Sequence, residues 1–180
     1  MHSKVNGFTL IEAMVAMTVV AILLAIAVPA WSHALAAANA GAARAELAAT
    51  LLDAVRHSAN AGSEVIVCPV AISGQCSGQV TWDGGWMAYA DSNGNRLRDA
   101  GEMQLRRTDA LKEGVHLRST VGRTRLIFQP NGGNVGSNVT FTLCDARGPA
   151  HATSLVLAND GNLRQEKPAA AAASACVYSS

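Results

Sequence analysis

The chain of 180 residues has few aromatic residues and almost no net charge. Phe, Trp and Tyr make up 4% of it, so we expect a modest core in the folded part. It carries 14 basic and 13 acidic residues, and loss of Lys4 would leave 13 of each. This balance gives no global electrostatic reason to expect a nucleic acid or an acidic partner. The length predicts one anchored domain.

The sequence also lacks the motifs that accompany catalysis. The nucleophile motif Gly-x-Ser-x-Gly is absent, and no partner for Asp83 can be assigned from the sequence. We expect surface positions for the histidines that follow the N-terminal segment, which are His33, His57, His116 and His151. The protein is therefore predicted not to be an enzyme and to hold no cofactor.

The most informative feature is the junction between a short polar leader, residues 1–7, and an apolar segment. The leader ends at Gly7, Phe8 follows, and Glu12 is the last charge before an uncharged run over residues 13–31. A membrane anchor fits this length, since about 20 apolar residues span a bilayer. An anchor alone does not explain Glu12, because an ionisable group in lipid costs roughly 2.5 kcal/mol or more. A Sec signal peptide has its cleavage site after the apolar region, not before it.

This junction resembles the class III signal of type IV pilins and type II secretion pseudopilins. The resemblance implies that a prepilin peptidase cuts after Gly7 and that the new terminus, Phe8, is N-methylated. It also implies that Glu12 neutralises the free amine of a neighbouring subunit's Phe8 in a filament. The implied partners are the prepilin peptidase and other major and minor pilins or pseudopilins. The implied location is the bacterial inner membrane, crossed once, with the head in the periplasm.

Residues 8–61 are predicted to form one long helix, interrupted at Pro29 because a proline inside a helix usually kinks it. The transmembrane or filament-core half covers residues 8–31, the amphipathic half covers residues 32–61, and Gly62 is a plausible C-terminal cap. Small and apolar residues at three- and four-residue spacing predict an apolar stripe on the second half. These residues are Leu35, Ala38, Ala42, Ala45, Ala49, Leu52, Val55 and Ala59.

The head, residues 62–180, is predicted to be rich in β-structure. Apolar runs bounded by Gly, Pro and Asn predict about seven short strands. The candidate segments are 64–68, 80–90, 103–107, 115–119, 125–128, 138–144 and 154–158, with a final short strand after the turn at 159–161. We expect an α+β fold in which two small antiparallel sheets pack on the helix. Residues 167–174 are predicted to form a low-complexity Pro/Ala tail.

Four cysteines in an exported domain predict two disulfide bonds. A bond between Cys68 and Cys76 would close a short loop, and one between Cys144 and Cys176 would tie down the last segment. The sequence is also compatible with the other pairings. A metal site is disfavoured because no Cys-x-x-Cys occurs and no histidine is close in sequence to either pair.

Internal motifs narrow the resemblance to one group. They are Cys68-Pro69, Trp82-Asp83-x-Gly85-Trp86, the polar loop 91–102, Phe128-x-Pro130-x-Gly132, Leu143-Cys144-Asp145-x-Arg147-Gly148 and the turn at Gly161. Together they resemble the GspH/FimT group of minor pilins and pseudopilins. The resemblance implies a subunit that takes part in type IV pilus assembly, at or near the tip, by helix packing. The alternatives are a type II secretion pseudopilin for protein export and a pilus-associated DNA receptor.

The polar loop 91–102 has side-chain oxygen atoms at positions 1, 3, 5, 9 and 12, which is the ligand spacing of an EF-hand. These side chains are Asp91, Asn93, Asn95, Asp99 and Glu102. Arg96 occupies the position where an EF-hand needs glycine, and Arg96 and Arg98 would repel a divalent ion. We therefore predict a polar hairpin loop and no metal, with calcium binding as the alternative.

For the DNA alternative, the resemblance points to a Gly-Arg-x-Arg turn near the C-terminus. The corresponding stretch here is Gly161-Asn162-Leu163-Arg164, in which one arginine is replaced. A literal Gly-Arg-x-Arg occurs earlier, at 122–125, and residues 91–125 hold eight basic and five acidic side chains. Such a modest excess usually marks a solvated face, although phosphate contacts need clustered cations. The candidate DNA contacts are Arg164, Lys167, Arg123 and Arg125.

Overall fold

The computed structural model describes residue 7 and residues 9–177; the leader residues 1–6, Phe8 and residues 178–180 lie outside the described residues. The chain divides into two compact units, residues 1–35 and residues 36–180. In chain order the elements are α1 (Leu10–Ala61), β1 (Glu64–Pro69), β2 (Trp86–Asp91), β3 (Gln104–Thr108), β4 (Val115–Ser119), β5 (Leu126–Phe128), β6 (Val139–Asp145), a 3-10 helix (Pro149–His151), β7 (Thr153–Leu157), β8 (Leu163–Glu166) and α2 (Ala170–Val177).

The first unit contains the start of α1. Thr9 caps this helix, because its Oγ1 accepts a hydrogen bond from the Glu12 amide at 3.3 Å, as in a Thr-x-x-Glu capping box. All residues from 9 to 35 are exposed. Of the helices in the described part of the chain, α1 has the length and composition to cross a membrane. The helix continues through Pro29, so the predicted interruption there is wrong; a 52-residue helix tolerates the loss of one N–H donor.

The part of α1 in the second unit buries a different face from the predicted stripe. Its buried residues are Ala40, Ala43, Leu47, Thr50, Leu51, Ala54 and Ser58. None of the eight stripe residues is buried; Ala49 and Val55 are half-buried and the others are exposed. Alanine occurs on every side of this helix, so spacing alone does not select a face. The bulky side chains of Leu47 and Leu51 decide which face packs. The helix ends as predicted, with Gly62 in a left-handed conformation at φ +67°.

Two four-stranded antiparallel sheets form the head, which confirms the predicted α+β class. The strand order is β3-β2-β1-β5 in the first sheet and β4-β6-β7-β8 in the second. The predicted strand at 80–90 begins only at Trp86. Gly85 turns the chain at φ +91°, and an added Cβ there would meet the backbone of Thr108 and Asp109. The preceding Trp82 instead donates its backbone N–H to the carbonyl of Leu117, at 2.8 Å.

The main core lies between α1 and the inner faces of the two sheets, and it is built around two tryptophans. Trp82 and Trp86 are fully buried. The Trp86 Nε1 donates to Thr50 Oγ1 on α1, and the Trp82 Nε1 donates to Ser119 Oγ on β4, each at 3.1 Å. The ring of Trp82 meets Phe141 edge-on, with 5.0 Å between the centroids. Both indole donors are therefore satisfied inside the core, as buried tryptophans require.

The end of the chain differs from the predicted low-complexity tail. Residues 167–174 do not stay irregular, because α2 begins at Ala170 and ends at Val177. Alanine is the best helix former, and this helix buries Ala173 and Cys176. Two disulfide bonds join Cys144 to Cys176 and Cys68 to Cys76, with Cα–Cα distances of 6.1 and 5.5 Å. The first of them fixes α2 to β6.

Candidate functional site

The N-terminal segment is the first candidate site, and it is open on all sides. Gly7 is exposed, and no heavy atom lies within 4 Å of a Cβ added there. The described part of the fold therefore places no steric requirement for glycine at this position. Phe8 lies outside the described residues, so its predicted pairing with Glu12 stays a prediction. Glu12 lies in the first turn of α1, where a carboxylate suits the helix dipole.

On both sides of Glu12 the segment presents apolar side chains with nothing packed on them. Leu10, Met17 and Trp31 are 82%, 76% and 73% exposed. A helix that is apolar all round is stable in lipid or inside a bundle of other helices. Glu12 is the single charge in residues 9–31, and in either setting an ionised carboxylate is costly unless a partner offsets its charge.

An arginine on the first sheet joins the head to α1. Arg106 donates to Asp53 Oδ2 at 2.6 and 3.1 Å and to Glu46 Oε1 at 3.1 Å. The hydrogen bonds that Arg106 donates to Asp53, and then the one to Glu46, raise the pKa of Arg106. Glu46 and Asp53 are not among the candidate residues named from the sequence. Their spacing of seven residues, two helical turns, was a signal that one arginine could reach both.

The motif between the two tryptophans has a structural role. Asp83 accepts hydrogen bonds from the Leu117 backbone N–H at 2.7 Å and approaches His116 Nδ1 at 2.8 Å. The sequence offered no partner for Asp83, and the structure supplies two from β4. The carboxylate thereby ties the turn before β2 to the edge of the second sheet.

The loop 91–102 is closed by its own hydrogen bonds. The Asp91 carboxylate accepts two backbone amides of the loop, at 2.8 and 2.9 Å, and the Glu102 carboxylate accepts two more, at 3.0 and 3.1 Å. The side-chain amides of Asn93 and Asn95 each donate to Asp99 Oδ2 at 2.8 Å. The side chains predicted as calcium ligands thus lie on one loop, with these oxygens occupied by internal donors.

Two details bear on the calcium alternative. Arg96 adopts φ 60°, the backbone conformation for which an EF-hand uses glycine. In the described part of the chain, no three His, Cys, Asp or Glu side chains are placed to hold a metal ion together. Calcium binding therefore stays a prediction. Next to the loop, the hydroxyl of Tyr89 is buried without a hydrogen-bond partner, and burial, with the charge of Asp91, raises the pKa of Tyr89 to about 12.

The structure separates the four predicted DNA contacts into two places. Arg164 is on β8, where its Nε lies 2.5 Å from Glu166 Oε1. Lys167 directly follows this strand and is exposed. Arg123 and Arg125 precede β5 in the first sheet and line a different depression. The residues near the C-terminus are therefore not part of one cluster with the earlier pair.

Sequence reasoning missed the residues that do cluster with the earlier pair. We call this cluster the arginine groove, and it consists of Arg96, Arg98, Arg123 and Arg125. It contains two adjoining depressions of about 330 and 360 Å³, both lined by Arg96 and Arg125; Arg98 lines the first and Arg123 the second. Arg96 and Arg98 were interpreted only as obstacles to calcium. The local excess of basic residues between 91 and 125 was the signal that could have found the groove.

Comparisons with known proteins agree with this architecture. The sequence matches the family model of the type II transport protein GspH over residues 43–161 and that of the prokaryotic N-terminal methylation motif over residues 2–28. No curated protein sequence matches the chain significantly.

Among solved structures, the type IV minor pilin FimU of Pseudomonas aeruginosa (strain PAO1) is similar, with a TM-score of 0.53 and 18% identity over 70% of this chain and 91% of FimU. The minor pseudopilin EpsH from the type 2 secretion system of Vibrio cholerae is also similar, with a TM-score of 0.52 and 14% identity over 72% of this chain and 98% of EpsH. At these identities the likeness shows a shared fold.

Proposed function

Because this chain belongs to the GspH family, a family of minor pilins and pseudopilins, and carries the N-terminal methylation motif, we propose that it takes part in the assembly of a type IV pilus, at or near the tip. The observation that carries the proposal is the exposed apolar segment 9–31, in which Glu12 is the single charge. Proteins of this kind are structural components of filaments. The proposed action is helix packing and not catalysis.

The proposed path begins in the bacterial inner membrane. The chain crosses it once through the first part of α1, with the leader in the cytoplasm and the head in the periplasm. A prepilin peptidase cuts after Gly7, and the amine of Phe8 becomes free. When the subunit enters a filament, Glu12 neutralises the amine of a neighbouring Phe8 inside an apolar bundle. Loss of one partner would leave the other charge buried alone, which costs several kcal/mol.

The head stays folded, in this proposal, while the surroundings of the helix change from membrane to filament. The Cys144–Cys176 bond connects residues of the head that are 32 positions apart, and Arg106 connects the head to two carboxylates of α1. A head that keeps one shape can present the same surface before and after assembly, which a subunit near the tip requires.

The alternative is a pseudopilin of a type II secretion system, which would support protein export. The name of the matching family model and the similarity to EpsH favour this alternative, and the similarity to FimU favours the pilus. Processing and helix packing would be the same in both machines.

The deciding experiment compares the pili sheared from a strain that lacks this gene with those from a complemented strain. Loss of pili, restored by complementation, is the expected result. Unchanged pili together with lost export of folded enzymes would overturn the pilus assignment and support the secretion pseudopilus.

A further inference from the structure

An aliphatic side chain lies among the cations of the arginine groove. Leu97 is 62% exposed and lines the depression of about 330 Å³ together with three of the arginines. Ile72 is fully exposed on the adjacent loop 69–76, whose Gln75 and Cys76 line the same depression. Single exposed apolar side chains are common on protein surfaces. Leu97 differs because the arginines that share its depression offer charged contacts at the same place.

The cations beside Leu97 are poorly neutralised. The Nε of Arg96 lies 3.4 Å from Glu64. Within residues 9–177, no carboxylate lies within salt-bridge distance of Arg98 or Arg125. The Nε of Arg98 is also buried without a hydrogen-bond partner, and a buried donor without an acceptor is costly. An anionic group that enters the depression would therefore find unpaired guanidinium donors.

Hydrogen bonds between the loops hold the depression in one shape. The Gln75 Nε2 donates to the backbone carbonyl of Arg98 at 3.2 Å, and the Arg125 Nη1 donates to the backbone carbonyl of Arg96 at 3.1 Å. The shorter of the two disulfide loops carries Gln75 and is closed by its own bond. A surface that is fixed before binding loses less conformational entropy when a partner docks.

The groove lies on the face of the first sheet that does not pack on α1. Cys76 and Ile127, which line its two depressions, belong to a small core separate from the main core that contains α1. A partner that docks in the groove therefore does not compete with the packing of α1. The inference is independent of whether the subunit joins a pilus or a pseudopilus.

The mixture of charged and aliphatic contacts narrows the class of partner. Carboxylates fit the planar fork of arginine, which donates two parallel hydrogen bonds to them. An aliphatic side chain next to those carboxylates would cover Leu97. A phosphodiester backbone supplies charge but no aliphatic group, and no aromatic side chain lines either depression as a platform for bases. A small inorganic anion would leave Leu97 uncovered.

We propose that the arginine groove is a docking surface for an acidic segment of another protein, in which carboxylates flank an aliphatic side chain. Arg98 and Arg125 bind the carboxylates, and Leu97 packs on the aliphatic side chain. Arginine anchors beside an apolar contact are typical of the residues that dominate protein interfaces. Arg123 supports the adjoining depression, because its Nη atoms donate to backbone carbonyls.

The test measures the binding of labelled synthetic peptides to the full-length chain in detergent by fluorescence anisotropy. The first peptide carries glutamates on both sides of leucines. The second has serine in place of each leucine, and the third has glutamine in place of each glutamate. We expect the first peptide to bind, and each replacement to weaken binding roughly tenfold or more, because leucine burial and carboxylate–arginine pairing both contribute on that scale.

Two variants of the chain test the assigned residues. Leu97→Ser should lower the affinity for the first peptide roughly tenfold and should no longer distinguish it from the second peptide. Arg98→Gln/Arg125→Gln should lower the affinity roughly tenfold or more and should no longer distinguish the first peptide from the third. Thermal melting checks that both variants fold. Equal binding of the first and second peptides by the unaltered chain would overturn the proposal.

Matched controls separate this docking surface from general attraction. Val121→Ser removes an exposed aliphatic side chain outside the groove, and Arg107→Gln/Lys167→Gln removes two exposed cations outside it. Unchanged binding by both controls supports the groove, whereas losses equal to those of the test variants would overturn it. Displacement of the first peptide by a DNA duplex at lower concentration than by unlabelled peptide would assign the groove to nucleic acid instead. Absence of peptide binding at low salt would also overturn the proposal.

Discussion

In the N-terminal segment the candidate functional residues are defined by their order in the sequence, whereas in the head folding brings them together. In the segment all residues from 9 to 35 are exposed, and what matters is the linear order of Gly7, Phe8 and Glu12. In the head the decisive groups come together from distant positions. Arg106 meets Asp53 across 53 positions of the sequence, and Trp86 meets Thr50 across 36.

This difference follows from the molecules with which each region interacts. In the proposed function a peptidase recognises the leader by its sequence, and neighbouring subunits meet the segment as a helix of fixed period, so the order of residues would be enough to specify both encounters. The head must first fold, and its surface is a product of packing. Substitutions in the segment should therefore abolish a step without changing the stability of the head, whereas substitutions in the head should change its stability by measurable amounts.

The largest effect is expected at the cleavage site. Gly7→Leu should leave only uncleaved precursor, because the peptidase has to accommodate the residue before the cut while the fold places nothing against it. An immunoblot of cells that express the variant separates the two sizes. Ser3→Leu, a similar change four residues upstream, should be cleaved normally. A mature-sized band from Gly7→Leu would refute the assignment of the leader.

The second effect separates processing from assembly. Glu12→Ala should be cleaved but absent from sheared filaments, since the Phe8 amine of a neighbour would be buried unpaired at a cost of several kcal/mol. Thr18→Ala is the matched control, because Thr18 lies in the same segment and its hydroxyl bonds only to the Met14 carbonyl, at 2.8 Å. Immunoblots of cell and filament fractions measure both. Normal incorporation of Glu12→Ala would remove the proposed role of the carboxylate.

In the head, the two disulfides should differ in their effect on stability. The separation is 32 residues for Cys144–Cys176 and 8 for Cys68–Cys76. Chain-entropy reasoning gives losses of about 3.7 and about 2.5 kcal/mol when each is replaced by a pair of serines. Denaturant unfolding of the full-length chain in detergent measures both. A larger loss for the short loop would show that local packing around it outweighs loop closure.

The sequence was sufficient to predict where strands such as β4 and β6 lie, and insufficient to predict which face of α1 is buried. Strands such as β4 and β6 follow from alternation, and their boundaries agree with prediction within one residue. The buried face of α1 could not be predicted in this way, because alanine packs or faces solvent with little difference in free energy. The face is selected by the bulky Leu47 and Leu51, and it also places Thr50 within reach of the Trp86 indole. The final helix was missed because its alanine-rich sequence resembles a flexible tail until Cys176 is tied to β6.

The candidate site shows the same limit. The residues of the N-terminal segment could be named from their order alone. The arginine groove could not, because Arg96 and Arg98 belong to one loop and Arg123 and Arg125 to another, and only the pairing of β1 with β2 and β5 brings the two loops together.

A smaller effect is expected at the hydrogen bond between Trp86 and Thr50, on the buried face of α1. Thr50→Val removes the acceptor of the buried Trp86 indole N–H and should cost about 1–3 kcal/mol. Thr50→Ser keeps a hydroxyl at the same position and should recover most of that loss. Denaturant unfolding compares the two variants. If Thr50→Ser loses more than Thr50→Val, the methyl group of Thr50 and not its hydroxyl makes the larger contribution at this position.

The smallest effect is expected at Arg96, where a residue with a side chain adopts a left-handed backbone conformation. Arg96 adopts φ 60°, and a left-handed conformation costs a residue with a side chain roughly 1–2 kcal/mol. Arg96→Gly removes that cost and also removes an exposed ion pair with Glu64, which contributes about 0–1 kcal/mol. We therefore expect a small rise in stability, of up to about 1 kcal/mol. Arg98→Gly is the control, because Arg98 has no positive φ to relieve, so it should lose stability. Thermal melting measures the stability of both variants. A fall in stability for Arg96→Gly as large as that for Arg98→Gly would mean that the Arg96 side chain stabilises the loop by more than its backbone strain costs.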